Sequence, residues 1–106
     1  MVKKEVIYEG DLQIEKWTDC DEGGFEFSFK FQGRSIGWCD RYPGEPEEIG
    51  INVLYISGDP SLSLYERALE GDCGEAYRKM FDYLGADGNS NFVLTHFAHL
   101  GGNKNG

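Results

Sequence analysis

The stretch FEFSFKFQGRSIGW, residues 25–38, decides how this chain folds. Phenylalanine stands at every second position from Phe25 to Phe31, and a polar residue stands at each position between them. This alternation predicts a β-strand with one apolar face and one polar face. The apolar pattern resumes at Ile36 and Trp38 after a polar break, which predicts a second strand and therefore a β-hairpin.

Two registers are open for this hairpin. A turn at residues 32–33 pairs Phe27 with Trp38, whereas a turn displaced by one residue pairs Phe29 with Trp38. Both registers place all the large apolar side chains on one face of the sheet. We therefore predict that the phenylalanines and Trp38 form a core beneath the helices of the fold.

Composition predicts one folded domain with an anionic surface. A chain of 106 residues has the size of a single domain, and its seven Phe, six Tyr and two Trp argue against disorder. The excess of 19 acidic over 10 basic residues gives a net charge of −9. This charge repels phosphate and disfavours direct binding to nucleic acid or to an anionic membrane. We predict a domain over residues 1–100 and a flexible tail over 101–106.

The N-terminal segment predicts another hairpin. A turn at residues 10–11 would pair Ile7 with Ile14 and Glu5 with Lys16. One apolar pair and one pair of opposite charges from a single register support this arrangement. The alternative is one long strand with a bulge at the glycine of the turn.

Two later segments predict further strands. Residues 50–57 are apolar on both alternating faces, which is typical of an interior strand. Residues 92–100 fit either a strand or a helix, and their Val, Thr and Phe favour the strand. With the two hairpins, these segments predict an α+β fold whose antiparallel sheet has four to six strands.

Two short helices are predicted to pack on one face of that sheet, at about 60–70 and 73–84. The first has two start signals: Asp59 with Pro60 at the first helical position, and a capping box from Ser63 to Glu66. One long helix is the alternative, but the glycines between the two segments disfavour it.

The sequence predicts no cofactor. The acidic turn at residues 19–24 matches the beginning of an EF-hand calcium loop, but Lys30 stands where a bidentate Glu is required. His96 and His99 could join a cysteine in a zinc site, although no two cysteines are close in sequence. A domain that binds zinc or another small ligand is therefore an alternative function.

The cysteines predict a cytoplasmic protein with reduced thiols. The chain has an odd number of cysteines and no CxxC pair: Cys20, Cys39 and Cys73. No apolar run resembles a signal peptide or a membrane span. Neither Cys39 nor Cys73 lies in a recognisable nucleophile turn. We therefore predict that the protein is not an enzyme.

The carboxylates supply the functional hypothesis. They form one turn group, one loop group and one helical group, and we predict that these groups bind a partner: Asp19, Asp21 and Glu22; Glu45, Glu47 and Glu48; Glu66 and Glu70. Such a surface is typical of a small acidic protein that inhibits a basic macromolecular partner, for example a nucleic-acid-processing enzyme or a toxin. The alternatives are a merely solvated surface and a structural subunit that forms homo-oligomers.

Overall fold

A computed structural model describes residues 2–19 and 23–96 of the chain. In this part, six strands form one sheet in sequence order, and two helices follow the fifth strand. The strands are β1 (Val2–Glu9), β2 (Leu12–Asp19), β3 (Gly24–Phe31), β4 (Arg34–Arg41), β5 (Glu48–Asn52) and β6 (Phe92–Thr95). The helices are α1 (Leu64–Glu70) and α2 (Gly74–Leu84). The predicted α+β class is confirmed. No helix in the described residues is long and apolar enough to cross a membrane.

The first hairpin has the predicted register. β1 pairs with β2 so that Ile7 lies opposite Ile14 and Glu5 lies opposite Lys16. Gly10 adopts a positive φ of 61° in the connecting turn, a conformation that costs glycine little. The alternative of one long strand with a bulge is therefore wrong.

A bulge in the second hairpin moves Trp38 to the other face of the sheet. The register shifts between Phe29 and Lys30, so that Phe29 lies opposite Gly37 and Ser28 lies opposite Trp38. The extra residue in β4 inverts the alternation beyond the bulge. Both predicted registers are therefore wrong for Trp38, which does not join the core beneath the helices.

The fifth strand is displaced from its predicted range of 50–57. β5 begins at Glu48 and ends at Asn52, where the chain enters a short 3-10 helix, Val53–Tyr55. The buried Asn52 side chain donates to the Ser35 carbonyl at 2.7 Å and accepts from the Leu54 N–H at 2.9 Å. These bonds anchor Asn52 and cap the new turn, so the apolar residues beyond it do not extend the strand.

The first helix begins later than one of its two start signals predicts. Ser63 caps α1, and Ser63 and Glu66 form both bonds of the predicted capping box. Asp59 instead accepts from the Ser61 N–H at 2.9 Å, which holds a turn before the helix. α2 begins after Cys73, close to its predicted start.

The last described strand returns parallel to β5. β6 pairs in register with β5 from Ile49 opposite Phe92 to Asn52 opposite Thr95. Both helices lie in the connection between these strands, which parallel pairing requires to be long. The strand interpretation of residues 92–100 is confirmed for 92–95. The end of that segment and the tail at 101–106 lie outside the described residues.

The core fills the space between the helices and one face of the sheet. β2 to β5 contribute buried apolar side chains, and the helices contribute the opposing layer: Leu12, Ile14, Phe27, Phe29, Ile36, Cys39, Ile49 and Ile51 face Ala68, Ala76, Tyr77, Met80 and Phe81. The aromatic rings of Phe27 and Phe29 meet Tyr83 of α2 edge to face. The helices therefore cover the phenylalanine face, as predicted.

We expect Tyr77→Phe to lower the free energy of unfolding by about 1–3 kcal/mol. The buried Tyr77 hydroxyl donates to the Ile36 carbonyl at 2.6 Å and accepts from the Asn52 N–H at 3.2 Å. Phenylalanine keeps the ring but removes the partner of both buried backbone groups. Urea denaturation followed by tryptophan fluorescence measures the loss. The control is Tyr65→Phe, at a half-buried ring that stacks on Phe81, and a loss no larger than in that variant would contradict the account.

Candidate protein-binding face

The second face of the sheet carries no helix in the part of the chain that the structure describes. Alternation places Val6, Tyr8 and Trp38 on this side, which we call the open face. Val6 is 46% exposed and Tyr8 is 65% exposed, whereas core-face side chains of the central strands, such as Phe29 and Cys39, are fully buried. An uncovered sheet face of this kind is a candidate interaction surface.

Three carboxylates lie side by side on the open face. Glu26 of β3 lies opposite Asp40 of β4, which in turn lies opposite Glu48 of β5. We call these three residues the carboxylate row. Burial raises the pKa of Asp40, and the charges of Glu26 and Glu48 raise it further. Like charges directly opposite each other in a sheet are destabilising, so the row is a cost to the isolated protein.

Elsewhere on the open face, the Glu15 carboxylate is paired with two lysine amines. Glu15 of β2 lies 3.8 Å from the Lys4 amine and 3.7 Å from the Lys30 amine, and it accepts from the Gln13 amide at 3.1 Å. Within residues 2–19 and 23–96, no such ion pair involves the carboxylate row. Uncompensated negative charge on the open face is therefore concentrated over β3 to β5.

Aromatic side chains flank the carboxylate row. The Trp38 indole lies over Gly50, where even the Cβ of an alanine would collide with the ring. Trp17 lies opposite Glu26 across the β2–β3 pair, and the Tyr42 hydroxyl donates to the Glu26 carboxylate. Trp17, Trp38 and Tyr42 are each half-buried, and the Lys4 amine lies 5.7 Å from the centre of the Trp17 ring. Carboxylates beside aromatic rings form a surface that suits cationic side chains.

The predicted loop group divides between two directions. Glu48 belongs to the carboxylate row, and Glu45 is exposed. Glu47 is half-buried and engaged within the chain, because its carboxylate accepts from the Arg41 Nε–H and contacts the Cys39 Sγ at 3.6 Å. Arg41 also donates to the Leu84 carbonyl at 2.6 Å, which ties this loop to the end of α2. Glu47 therefore already has a cationic neighbour, Arg41, within its own chain.

A shallow depression joins the loop to the turn between β2 and β3. It has a volume of about 370 Å³ and is lined by Gly23, Phe25, Arg41, Tyr42, Pro43, Glu45 and Glu47. The loop group and the strand end at Asp19 therefore lie at the same end of the sheet. The Asp19 backbone pairs with Gly24 at this end, while Asp21 and Glu22 lie outside the described residues.

The helical carboxylates lie elsewhere. Glu66 accepts from the Ser63 N–H in the capping box, and these hydrogen bonds hold its pKa below the usual range. Glu70 ends α1, and the next residue, Gly71, lies against the backbone of Tyr55. Tyr55 follows the last residue of β5, whereas Glu48 is the first residue of that strand. The structure therefore does not unite Glu66 and Glu70 with the carboxylate row.

The two described cysteines are buried, whereas the one described histidine is exposed. Cys39 is fully buried, and burial, reinforced by Glu47, raises its thiol pKa to about 12. Cys73 is also a free, buried thiol. His96 is exposed just after β6, while Cys20 and His99 lie outside the described residues. Among the residues the structure describes, no group of three His, Cys, Asp or Glu is placed to hold a metal ion.

No known protein family, curated protein or solved structure that was compared with this chain matches it. A function is therefore inferred from the geometry of the open face. Glu26 and Asp40, which the sequence interpretation did not select, are central to that geometry. Their signal was present in the alternation, since Glu26 stands between two core phenylalanines and Asp40 follows the core Cys39.

We expect Asp40→Asn to stabilise the protein at neutral pH by up to about 1 kcal/mol, because it removes repulsion within the row. The raised pKa means that Asp40 binds a proton more readily in the folded state than in the unfolded state. The ionised Asp40 therefore destabilises the folded protein, and this destabilisation is complete at pH values above the raised pKa. The gain should shrink as pH falls and vanish below the ordinary value of 3.8. Urea denaturation at several pH values tests this. Asp82→Asn on the exposed side of α2 is the control, and an equal or smaller gain than that control at neutral pH would contradict the account.

Proposed function

We propose that this protein is a non-enzymatic binding protein that blocks a basic protein partner. The observation that carries the proposal is the carboxylate row, Glu26, Asp40 and Glu48, on a sheet face that no described helix covers. A cationic side chain bound there would relieve repulsion that the free protein contains. The repulsion among the three carboxylates in the free protein therefore increases the affinity for a cationic group.

Long-range charge and local contacts support the same class of partner. The net charge of −9 would attract a basic protein during diffusional encounter and would repel phosphate. At short range, the half-buried Trp38 ring offers a face on which a guanidinium group can stack, whereas the Lys4 amine already lies 5.7 Å from the centre of the Trp17 ring. Trp and Tyr also dominate the energetics of many protein interfaces, where they are partly buried before binding.

Inhibition follows from the kind of surface that such a partner presents. Basic grooves on proteins commonly bind nucleic acid through its phosphates. A protein that covers such a groove with carboxylates competes with the phosphates for the same Lys and Arg side chains. We therefore propose that the partner is a nucleic-acid-processing enzyme or a toxin with a basic active surface.

Affinity capture from source cells tests the proposal. Three baits are compared: the natural protein, the row variant E26Q/D40N/E48Q and a charge-matched control, E70Q/D72N/D82N, whose carboxylates are exposed on or beside the helices. At low salt, the natural protein and the control should retain the same basic protein, and high salt should release it. A retained partner that is acidic, or that binds the row variant equally well, would contradict the proposal.

A further inference from the structure

The outer edge of β1 is an unpaired strand edge in the described part of the chain. β1 pairs with β2 along all eight residues without a register shift, and its other edge pairs with no strand in the described part of the chain. It contains no proline and no bulge, and the charged side chains that protect it against most strands are of both signs, so they can be matched by a complementary strand. Its outward backbone N–H and C=O groups are therefore a template for another strand.

Charge distinguishes β1 from the rest of the molecule. Lys3 and Lys4 balance Glu5 and Glu9, so the strand is neutral within a chain whose net charge is −9. Two copies of an anionic protein repel each other over most of their surfaces. They can approach with least repulsion along this neutral strip. A second copy of the chain is therefore the occupant that the charge pattern favours.

We propose that two copies pair β1 with β1 in an antiparallel manner about a two-fold axis at Val6. Each residue then lies opposite the one equally far along on the other side of Val6. Lys3 faces Glu9 and Lys4 faces Tyr8, and each of these pairs occurs twice by symmetry. Val6 then lies beside Val6 of the second copy, Tyr8 lies beside Lys4 of the second copy, and the two sheets form one continuous sheet.

The charge pattern selects this register over its neighbours. In an antiparallel pair, residues that lie opposite each other have their side chains on the same face of the sheet. The two-fold axis must therefore pass beside a residue and not between two residues, so the nearest alternative positions for the axis are Glu5 and Ile7. At Glu5 it places two copies of that carboxylate against each other, and at Ile7 it places Glu5 against Glu9. Only the axis at Val6 avoids a pair of like charges, which are destabilising when directly opposite.

The proposed dimer is independent of the partner-binding proposal. β1 and the carboxylate row lie on different strands, and β2 separates β1 from the first of the row's strands, β3. Both rows therefore stay uncovered, and the dimer presents two of them to a partner. Loss of the dimer would leave a functional monomer, so the two proposals can fail separately.

Sedimentation equilibrium at about 0.15 M salt, where screening limits the general repulsion to about 8 Å, tests the dimer. We expect a dimer dissociation constant of about tens of micromolar for the natural protein, because the interface is small. Lys3→Glu and Glu9→Lys should each weaken the dimer about tenfold or more, because each reverses two charge pairs. The double variant K3E/E9K keeps the net charge and should restore the dimer. A natural protein that stays monomeric at about 200 µM, or a double variant no stronger than the single ones, would overturn the proposal.

Discussion

Replacing Phe29 with alanine is expected to lower the free energy of unfolding by about 3–5 kcal/mol, the largest loss we expect from one substitution. Phe29 is fully buried at the centre of β3. Its ring packs near Phe27 at 6.3 Å between centroids and meets Tyr83 of α2 edge to face. The opposite residue in β4 is Gly37, which has no side chain that could fill the resulting cavity.

Phe31→Ala is the matched control for this experiment. Phe31 lies on the same strand and the same face but is only half-buried. We expect about half the loss at this position, since less apolar surface leaves water there. Urea denaturation gives both values, and thermal unfolding confirms their order. Equal losses for Phe29→Ala and Phe31→Ala would show that the centre of the core has been assigned wrongly.

The row variant E26Q/D40N/E48Q should bind a basic partner about a hundredfold more weakly than the natural protein at low salt. Each lost contact between a carboxylate and a cation at a partly exposed interface is worth about 1 kcal/mol, and three of them give this factor. The partner recovered by capture, or nona-arginine as a defined probe, serves in isothermal titration calorimetry. The effect should diminish as salt is raised.

The control E70Q/D72N/D82N removes the same number of charges and should change the affinity by less than about threefold, because those carboxylates lie away from the open face. Circular dichroism should show that both variants are folded. If the two variants lose affinity to the same extent, binding depends on net charge and not on the row.

Local chemistry made much of the fold predictable. The hairpin turn at residues 10–11 and the capping box of Ser63 and Glu66 are each specified by neighbouring residues, and both are confirmed. The bulge in β4 is not local, because it depends on how Ile36 and Gly37 meet the helices. Gly37 lies against Met80 of α2, a contact between residues far apart in sequence.

The candidate site was less predictable for the same reason. A carboxylate row exists only when three strands have a fixed register, and the bulge sets that register for Asp40. Sequence grouping instead favoured residues adjacent along the chain, such as Glu47, whose carboxylate the structure directs to Arg41. It also could not anticipate that Trp38 would lie on the open face beside the row.

Chemical-shift mapping with nona-arginine tests most directly the central claim that negative potential is gathered on the open face. The peptide is titrated into the isotopically labelled protein at low salt. We predict the largest changes at the amides of Glu26, Asp40 and Glu48 and at the Trp38 indole N–H, and their loss at high salt. Changes of equal size around Glu70 and the rest of the helical surface would contradict the claim.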